Sequence, residues 1–309
     1  MLISIMKFSP ISTITGEKGF AVPVVLVISM IIIAIATSIT YTVRQKIRMA
    51  DEVNNRSKAY TKSYSALNTI LYNLSTSTFN NYALDIHEPN GDILKWNLFG
   101  NPIEIEKGVT AKLRDTSGMV SPLFDKGNLQ LALSLFYKKP EKLQQFIDTL
   151  ADWQDADDFT RLNGAEAFDY RMAKLPYSPR NYYIQTLDEL NLLKGFDPEI
   201  LNILKNDLIY WLPGHINCMT MSKEMLQALL PDATLVKNIV DSRDQWTLTS
   251  SVFKQLTGIQ ENEDVLFLPR GWIKIEINAT EGNATDHIDV VVVKSQQQLA
   301  PFWFAEWKR

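Results

Sequence analysis

An uninterrupted apolar segment near the amino terminus constrains the fold of this chain more than any other feature. No charged residue occurs from Phe20 to Val43, and residues 20–39 are long enough to cross the ~30 Å hydrocarbon core of a bilayer as a helix. The apolar region of a cleavable signal peptide has only about 7–15 residues and ends at a small-residue cleavage site, which does not follow here. The sequence therefore predicts a membrane helix that is kept in the mature protein.

The helical pattern continues past the apolar segment. Residues 41–74 contain neither proline nor glycine, and apolar residues recur toward the end of this range at spacings of three and four. Lysine and arginine flank the apolar segment on both sides, so their charge does not orient it in a membrane. We expect one long helix over 20–76, apolar on all sides in its first half. Its second half is amphipathic and is expected to pack on a globular domain.

The remaining sequence has strand-like patterns at both ends and helical patterns in between. Short alternating segments separated by turn sequences occupy 77–124, and isoleucine alternates with polar residues at 273–278, within the range 266–309. Leucine at spacings of three and four indicates helices in 125–265. The predicted fold class is therefore α+β. A long amino-terminal helix is combined with an antiparallel sheet, which a large all-helical insertion domain interrupts.

Helix-start signals support the helical insertion. Asp197-Pro198 and Ser222 are favourable helix starts. Thr186 followed three residues later by Glu189 has the spacing of a capping box. The sequence thus predicts helices that begin near residues 187, 198 and 223.

Two helical pairs in the insertion faintly resemble the helix-hairpin-helix units of DNA-binding proteins. Their turns at 194–197 and 230–233 hold at most one glycine and an acidic residue each. Backbone amides that bind a DNA phosphate need a glycine-rich turn with basic neighbours. The net charge of −4 and the lack of a basic run also argue against a nucleic-acid partner. Both pairs are therefore interpreted as structural.

Composition excludes further classes of site. The single cysteine, Cys218, rules out an intrachain disulfide. His87, His215 and His287 are too far apart in sequence to suggest a histidine metal site or a catalytic triad. No nucleophile or general-base motif is present, so the chain is not expected to be an enzyme.

The tryptophans are interpreted as core or interface packing, since buried aromatics dominate such cores: Trp153, Trp211, Trp246, Trp303 and Trp307.

One acidic segment could bind a metal ion. Its carboxylates are hard oxygen ligands of the kind that Ca²⁺ prefers: Asp152, Asp155, Asp157, Asp158 and Glu166. Four of them fall within seven residues and repel one another unless they are neutralised. Phe159 and Thr160 stand where an EF-hand has an acidic ligand and its glycine, so a true EF-hand is excluded. We expect a calcium site, with a solvated acidic loop as the alternative.

The amino terminus carries a resemblance to a known family. A short basic leader that ends in Gly19 and is followed by Phe20 and an apolar helix resembles the precursors of type IV pilins and type II secretion pseudopilins. The resemblance implies that residues 1–19 are a leader, that a prepilin peptidase cuts between Gly19 and Phe20, and that the new amino terminus is methylated. Val24 would be the fifth mature residue, where most members have glutamate. In that family the glutamate pairs with the charged amino terminus of the subunit above it. A subunit that has no other subunit above it therefore does not need a carboxylate at this position.

The body of the chain narrows the resemblance to one class of pseudopilin. Four segments resemble, in the same order, general secretion pathway protein K, the largest minor pseudopilin: 113–123, 150–170, 186–201 and 216–230. Members of this class bind calcium, which the resemblance extends to the acidic segment. The chain departs from the common pattern at Val120-Ser121-Pro122 and at 217–221. In this class the ranges 77–124 and 266–309 would form the pilin-like β domain around the helical insertion.

The resemblance implies a structural role in a secretion machine. The chain would be a minor pseudopilin at the tip of the type II secretion pseudopilus, where it initiates assembly for protein export across the outer membrane. It would span the bacterial inner membrane once, with its carboxy-terminal domain in the periplasm, and contact I- and J-class minor pseudopilins. Two alternatives remain at this point. One is a minor pilin of a type IV pilus, and the other is an uncut, membrane-anchored protein that binds DNA or a secreted substrate.

Overall fold

The computed structural model describes residues 21–123, 126–137, 139–209, 214–295 and 301–308. The chain divides into two compact units, Met1–Ser57 and Lys58–Arg309. Gly19, Phe20 and Trp211, which the sequence singled out, lie outside the described residues.

The described part of the first unit is the beginning of helix α1 (Ala21–Thr76). Among the described residues, this helix is the one long and apolar enough to cross a membrane, with a mean hydropathy of 2.7 over its most apolar window. The hydroxyl groups of Ser29, Thr37, Thr40 and Thr42 donate hydrogen bonds to carbonyl oxygens one turn earlier; for example, Thr37 Oγ1 lies 2.8 Å from Ile33 O. These polar groups are therefore satisfied within the helix, as a hydrocarbon environment requires.

The second unit begins within α1 and continues into two antiparallel sheets. The first sheet has the order β1–β2–β3 and the second has the order β4–β5–β6–β7–β8. The strand bounds are β1 Thr78–Phe79, β2 Ala83–His87, β3 Ile93–Asn97, β4 Ile103–Glu106, β5 Val109–Asp115, β6 Trp272–Glu281, β7 Ala284–Lys294 and β8 Phe302–Lys308. Strand β5 pairs with β6, so that Leu113 lies opposite Ile275. The five-stranded sheet is therefore assembled from both ends of the chain, as the sequence predicts.

The end of α1 packs on one face of the five-stranded sheet. Its buried residues recur at spacings of three and four, and Leu67 and Ile70 share a core with Ile275 and Ile277 of β6. A polar contact adds to this packing, since Lys62 Nζ forms an ion pair of 2.8 Å with Glu281. The amphipathic second half of the helix thus buries its apolar face against the sheet, as its periodicity predicts.

The helical insertion lies between β5 and β6, and its core also includes Tyr82, Ala83 and Phe99 from the segment before it. The α-helices between these strands are α2 Lys126–Ser134, α3 Pro140–Gln154, α4 Ala167–Met172, α5 Pro198–Leu204, α6 Lys223–Leu229, α7 Ala233–Asp244 and α8 Ser250–Thr257. Short 3₁₀ segments are Thr116–Gly118, Leu187–Leu192 and Cys218–Thr220. Trp153, Tyr170 and Phe253 are buried in this core. The core interpretation of Trp153 is therefore confirmed, whereas Trp303 on β8 is 62% exposed.

Helical segments begin at all three predicted positions, but the one at Leu187 is a 3₁₀ helix and lacks the predicted cap. The Asp197 carboxylate accepts a hydrogen bond of 3.0 Å from Glu199 N, and Ser222 Oγ accepts one of 3.1 Å from Met225 N. The predicted capping box of Thr186 and Glu189 does not form, because the side chain of Thr186 makes no cap hydrogen bond. The Glu189 carboxylate instead accepts hydrogen bonds from Arg180 Nε at 2.8 Å and from Gln185 N at 2.9 Å.

A buried carboxylate joins the insertion to the sheet. Asp115 ends β5 and accepts hydrogen bonds from Ser117 N at 3.2 Å, Asn217 Nδ2 at 3.3 Å and Thr220 Oγ1 at 3.0 Å. Asn217 N also donates to Ser117 O at 2.9 Å. Two segments about a hundred residues apart in the chain, 115–118 and 217–220, are thereby held together. The resemblance to protein K includes both of these segments.

Burial gives this junction a pH dependence that can be measured. Burial raises the pKa of Asp115 from its ordinary value of 3.8 to about 6, although its three hydrogen-bond donors act in the opposite direction. The folded state then binds the proton more tightly than the unfolded state. The resulting stabilisation is fully present below pH 3.8 and is lost as the pH rises through about 6.

As the pH rises from 4 to 7, we therefore expect the deprotonation of Asp115 to lower the free energy of unfolding by up to about 3 kcal/mol. Urea denaturation of the wild type and of Asp115→Asn across this range isolates the contribution, because other titrating groups cancel in the difference. The stability of the wild type relative to the variant should decrease as the pH rises. A difference that stays constant with pH would contradict a raised pKa at this position.

Candidate cation-binding loop

The acidic segment forms the loop between α3 and α4. Asp152 lies in the last turn of α3, and Glu166 is the residue that precedes α4. The carboxylate of Asp169, in the first turn of α4, accepts a hydrogen bond of 3.1 Å from Glu166 N. The two helices therefore fix the two ends of the loop, and the residues between them bring its carboxylates together.

Asp152 is fully buried and organises the loop rather than facing its centre. Its Oδ1 accepts a hydrogen bond of 2.6 Å from Arg161 Nη1, and its Oδ2 accepts one of 3.1 Å from Arg161 N. Gly164 passes so close that a Cβ atom there would lie 1.9 Å from Asp152 Oδ2. Arg161 also forms an ion pair with Asp155. Both contacts raise the pKa of Arg161, the one with Asp155 more strongly.

Three carboxylates converge within the loop. One oxygen each of Asp155, Asp157 and Glu166 lies within 4.8 Å of the other two. Glu166 is only 2% exposed, and neither of its carboxylate oxygens has a hydrogen-bond partner of good geometry among the described residues, although the adjacent Ala167 amide acts to lower its pKa. Oδ1 of Asp155 is buried without a partner in the same way. Buried carboxylate oxygens without partners are costly, and a cation is the natural group to satisfy them.

The electrostatics of Glu166 lead to the same conclusion. Burial, followed by the charges of Asp152, Asp155 and Asp158, raises its pKa to about 7. A divalent cation would remove this penalty, because it would attract the ionised carboxylate and offset its acidic neighbours. The donor set consists of carboxylate oxygens, which fit a hard cation such as Ca²⁺.

The structure therefore groups three of the five acids that the sequence singled out. Asp152 is engaged by Arg161, and Asp158 Oδ1 accepts a hydrogen bond of 3.3 Å from Asn181 Nδ2. The sequence reasoning did not identify Arg161 as the partner of two of these acids. This pairing could have been predicted from the position of Arg161, because a single basic residue in an acidic loop commonly pairs with its acidic neighbours.

The second of the two helical pairs uses its turn amides internally. The Asp232 carboxylate accepts hydrogen bonds from Thr234 N at 2.8 Å and from Leu235 N at 3.2 Å at the start of α7. Amides that are already bonded to a carboxylate cannot bind a phosphate without displacing it. This geometry agrees with a structural role for the pair.

Comparisons with known proteins give a match to a family model and matches to solved structures. Residues 125–210 match a family model described as type II secretion system (T2SS), protein K. The fold is similar to a chain in the crystal structure of the GspK–GspI–GspJ complex from the type 2 secretion system of enterotoxigenic Escherichia coli. That likeness has a TM-score of 0.55 and 16% sequence identity, and it covers 85% of this chain and 98% of that chain. No curated protein sequence matches the chain significantly.

The family model and the similar solved structure bear on different predictions. The fold class is confirmed: the chain combines a long amino-terminal helix, antiparallel sheets and a helical region, and the similarity in fold covers 85% of it. The resemblance to protein K is confirmed by the family model, which matches the first part of the helical insertion.

Proposed function

We propose that this chain is a minor pseudopilin of the K class in a type II secretion system. The observation that carries the proposal is the likeness in fold over 98% of the matched chain, combined with the family model on 125–210. The apolar part of α1 supports single-pass anchoring in the inner membrane, with the second unit in the periplasm. The role is structural rather than enzymatic, since a pseudopilin acts by assembling with its neighbours.

We place the chain at the tip of the pseudopilus, where it initiates assembly. Two features of the sequence support this position. The helical insertion would crowd subunits stacked within a filament. Val24 stands where a subunit with another above it would need a carboxylate. The relative with the similar fold was crystallised with GspI and GspJ, so the proposed partners are minor pseudopilins of the I and J classes.

The proposal includes maturation by a prepilin peptidase. Cleavage between Gly19 and Phe20 would remove the leader and leave a methylated Phe20 at the start of the apolar helix. Mass spectrometry of the amino-terminal peptide, from protein isolated from its own membrane, tests this step. A peptide that begins at N-methyl-Phe20 supports the pilin pathway, whereas one that begins at Met1 favours the uncut, membrane-anchored binding protein.

Co-purification separates the two assembling alternatives. A K-class pseudopilin should co-purify with I- and J-class minor pseudopilins after mild crosslinking of whole cells. A minor pilin of a type IV pilus should instead co-purify with the major pilin of that pilus. Recovery of major pilin without I- and J-class subunits would overturn the secretion assignment and leave the maturation step intact.

We further propose that the loop binds Ca²⁺ through Asp155, Asp157 and Glu166. The support is the pair of Glu166 oxygens that are buried without a partner beside two other carboxylates. When bound, the cation would supply positive charge that neutralises this cluster. Its effect would be structural, since it would hold the path of the loop between α3 and α4.

We expect Ca²⁺ to stabilise the wild type, and we expect Glu166→Gln to lose this calcium response without being destabilised itself. At a calcium concentration a hundred times the dissociation constant, the wild type should gain about 2.7 kcal/mol. Without the metal, Glu166→Gln should be as stable as the wild type or more stable, because it removes a buried charge from an acidic cluster. Thermal unfolding of the full chain in detergent, with calcium or a chelator, measures both effects.

The exposed Glu141 in the first turn of α3 offers a matched control. Glu141→Gln should keep the full calcium response, since its side chain is outside the cluster. An equal rise of the melting temperature in the wild type and in Glu166→Gln would exclude Glu166 as a ligand. No rise in the wild type would exclude the calcium site.

A further inference from the structure

The loop exposes large apolar side chains beside its carboxylate cluster. Phe159 is 83% exposed and Leu162 is 96% exposed. We call the following set the loop surface: Phe159, Leu162, Phe168, Met172, Tyr182 and Tyr183, all of which are exposed. Single exposed apolar residues are common on proteins, but several in one place indicate an interaction site.

A hydrogen bond and adjacency in the chain link the segments that carry these side chains. Asn181 Nδ2 donates to Asp158 Oδ1 at 3.3 Å, which ties the segment with the two tyrosines to the loop beside Phe159. Helix α4 begins directly after Glu166, and Phe168 and Met172 are four residues apart on its exposed face. Four of the apolar side chains are therefore parts of the loop that holds the cation ligands or of the helix that follows it, and the two tyrosines are linked to the loop through Asn181.

The composition of this region matches the chemistry of a phospholipid surface. Phenylalanine, leucine and methionine enter the acyl region, and tyrosine favours the boundary between lipid and water. Arg171 and Lys174 are exposed in and just after α4, next to Met172, and carry the charge that attracts lipid phosphates. A protein partner with an apolar groove would not require basic residues and a cation site beside the apolar side chains.

We propose that the loop surface binds an anionic phospholipid membrane and that a divalent cation in the carboxylate cluster bridges the loop to lipid phosphates. This inference rests on the calcium site proposed above and is independent of the role in secretion. Without the cation, Asp157 and Asp158 repel the phosphates. With the cation, that repulsion is removed and Phe159 and Leu162 can approach the bilayer.

A two-membrane experiment tests the proposal on the full chain. The protein is held by its apolar helix in nanodiscs of neutral phosphatidylcholine, and capture of separate vesicles is measured by co-flotation. We expect calcium to promote capture of phosphatidylglycerol vesicles and not of phosphatidylcholine vesicles. The double variant Phe159→Ser, Leu162→Ser should lower capture at least tenfold, because each side chain contributes roughly a factor of ten when it is buried.

Two controls make the result specific. Ile203 on α5 is also exposed, and Ile203→Ser should leave capture unchanged. The calcium-dependent rise in melting temperature is measured on the same samples and should be unchanged in the double variant. If that rise occurs without vesicle capture, the lipid surface is refuted and the calcium site stands. If neither occurs, both are refuted.

The remaining outcomes also decide the question. Capture that is equal with and without calcium, or equal for neutral vesicles, overturns the bridging role of the cation. Association of nanodiscs with one another in the absence of vesicles would mean that the loop surface binds a second copy of the chain, which also overturns the proposal.

Discussion

Replacing Gly118 by alanine is expected to lower the free energy of unfolding by about 3 kcal/mol. A Cβ atom at this position would lie 2.5 Å from Thr220 Oγ1, 2.7 Å from Thr220 C and 2.8 Å from Thr220 O. Two of these atoms belong to the backbone, so a new rotamer of Thr220 cannot relieve the clash. The two segments cannot easily separate either, because Asn217 N donates to Ser117 O at 2.9 Å across the junction.

Chemical denaturation of the full chain in detergent measures this effect, and Gly127 provides the matched control. Gly127 is in helix α2, and a Cβ atom there would meet nothing within 4 Å. Gly127→Ala should raise the stability by about 0.5–1 kcal/mol, because glycine is unfavourable inside a helix. If Gly118→Ala and Gly127→Ala changed stability equally, the close approach of the two segments would not be present in solution.

The large-scale fold could be predicted because it depends on periodicity, which the sequence records directly. Alternation at Ile273, Ile275 and Ile277 gives a strand with one buried face, and all three side chains are buried. Spacings of three and four in the second half of α1 likewise give the face that packs on the sheet. Both patterns follow from the need to bury one side of an element, whatever its partner is.

The region 186–204 shows where such local reasoning fails. The capping signal at Thr186 and Glu189 predicts a regular α-helix, but residues 187–192 form a 3₁₀ helix and α5 begins only at Pro198. Glu189 bonds to Arg180, and its Oε2 also lies 3.4 Å from Trp153 Nε1. Partners from other parts of the chain thus determine this carboxylate's position, and no local pattern contains them.

The candidate site was predicted only in part, for a related reason. The sequence identifies an acidic loop, but spacing alone does not tell which carboxylates meet. Arg161 engages Asp152 with both its guanidinium and its backbone amide, and Gly164 permits the close passage of the chain beside that carboxylate. The path of the loop then brings Glu166 towards Asp155 and Asp157, and this path depends on contacts that are not local in sequence.

Replacing Gly19 by valine is expected to abolish maturation and incorporation into the pseudopilus while leaving the chain in the membrane. Gly19 precedes the proposed cleavage site, and a branched side chain there would obstruct the peptidase. The apolar segment from Phe20 to Val43 is unchanged by the substitution, so anchoring does not depend on cleavage. The uncut leader would keep Lys7 and Lys18 attached to the helix that has to pack among neighbouring helices. Burying charges there without partners is costly.

Three measurements on the same cells separate these effects. Membrane fractionation should show both forms in the membrane, mass spectrometry should find the leader only on Gly19→Val, and I- and J-class subunits should co-purify only with the wild type. Gly16→Val is the matched control, because it changes a leader glycine away from the cleavage site and should be processed normally. Normal assembly of an uncut Gly19→Val chain would show that incorporation does not need a free Phe20, and the maturation step of the proposed function would then have to be abandoned.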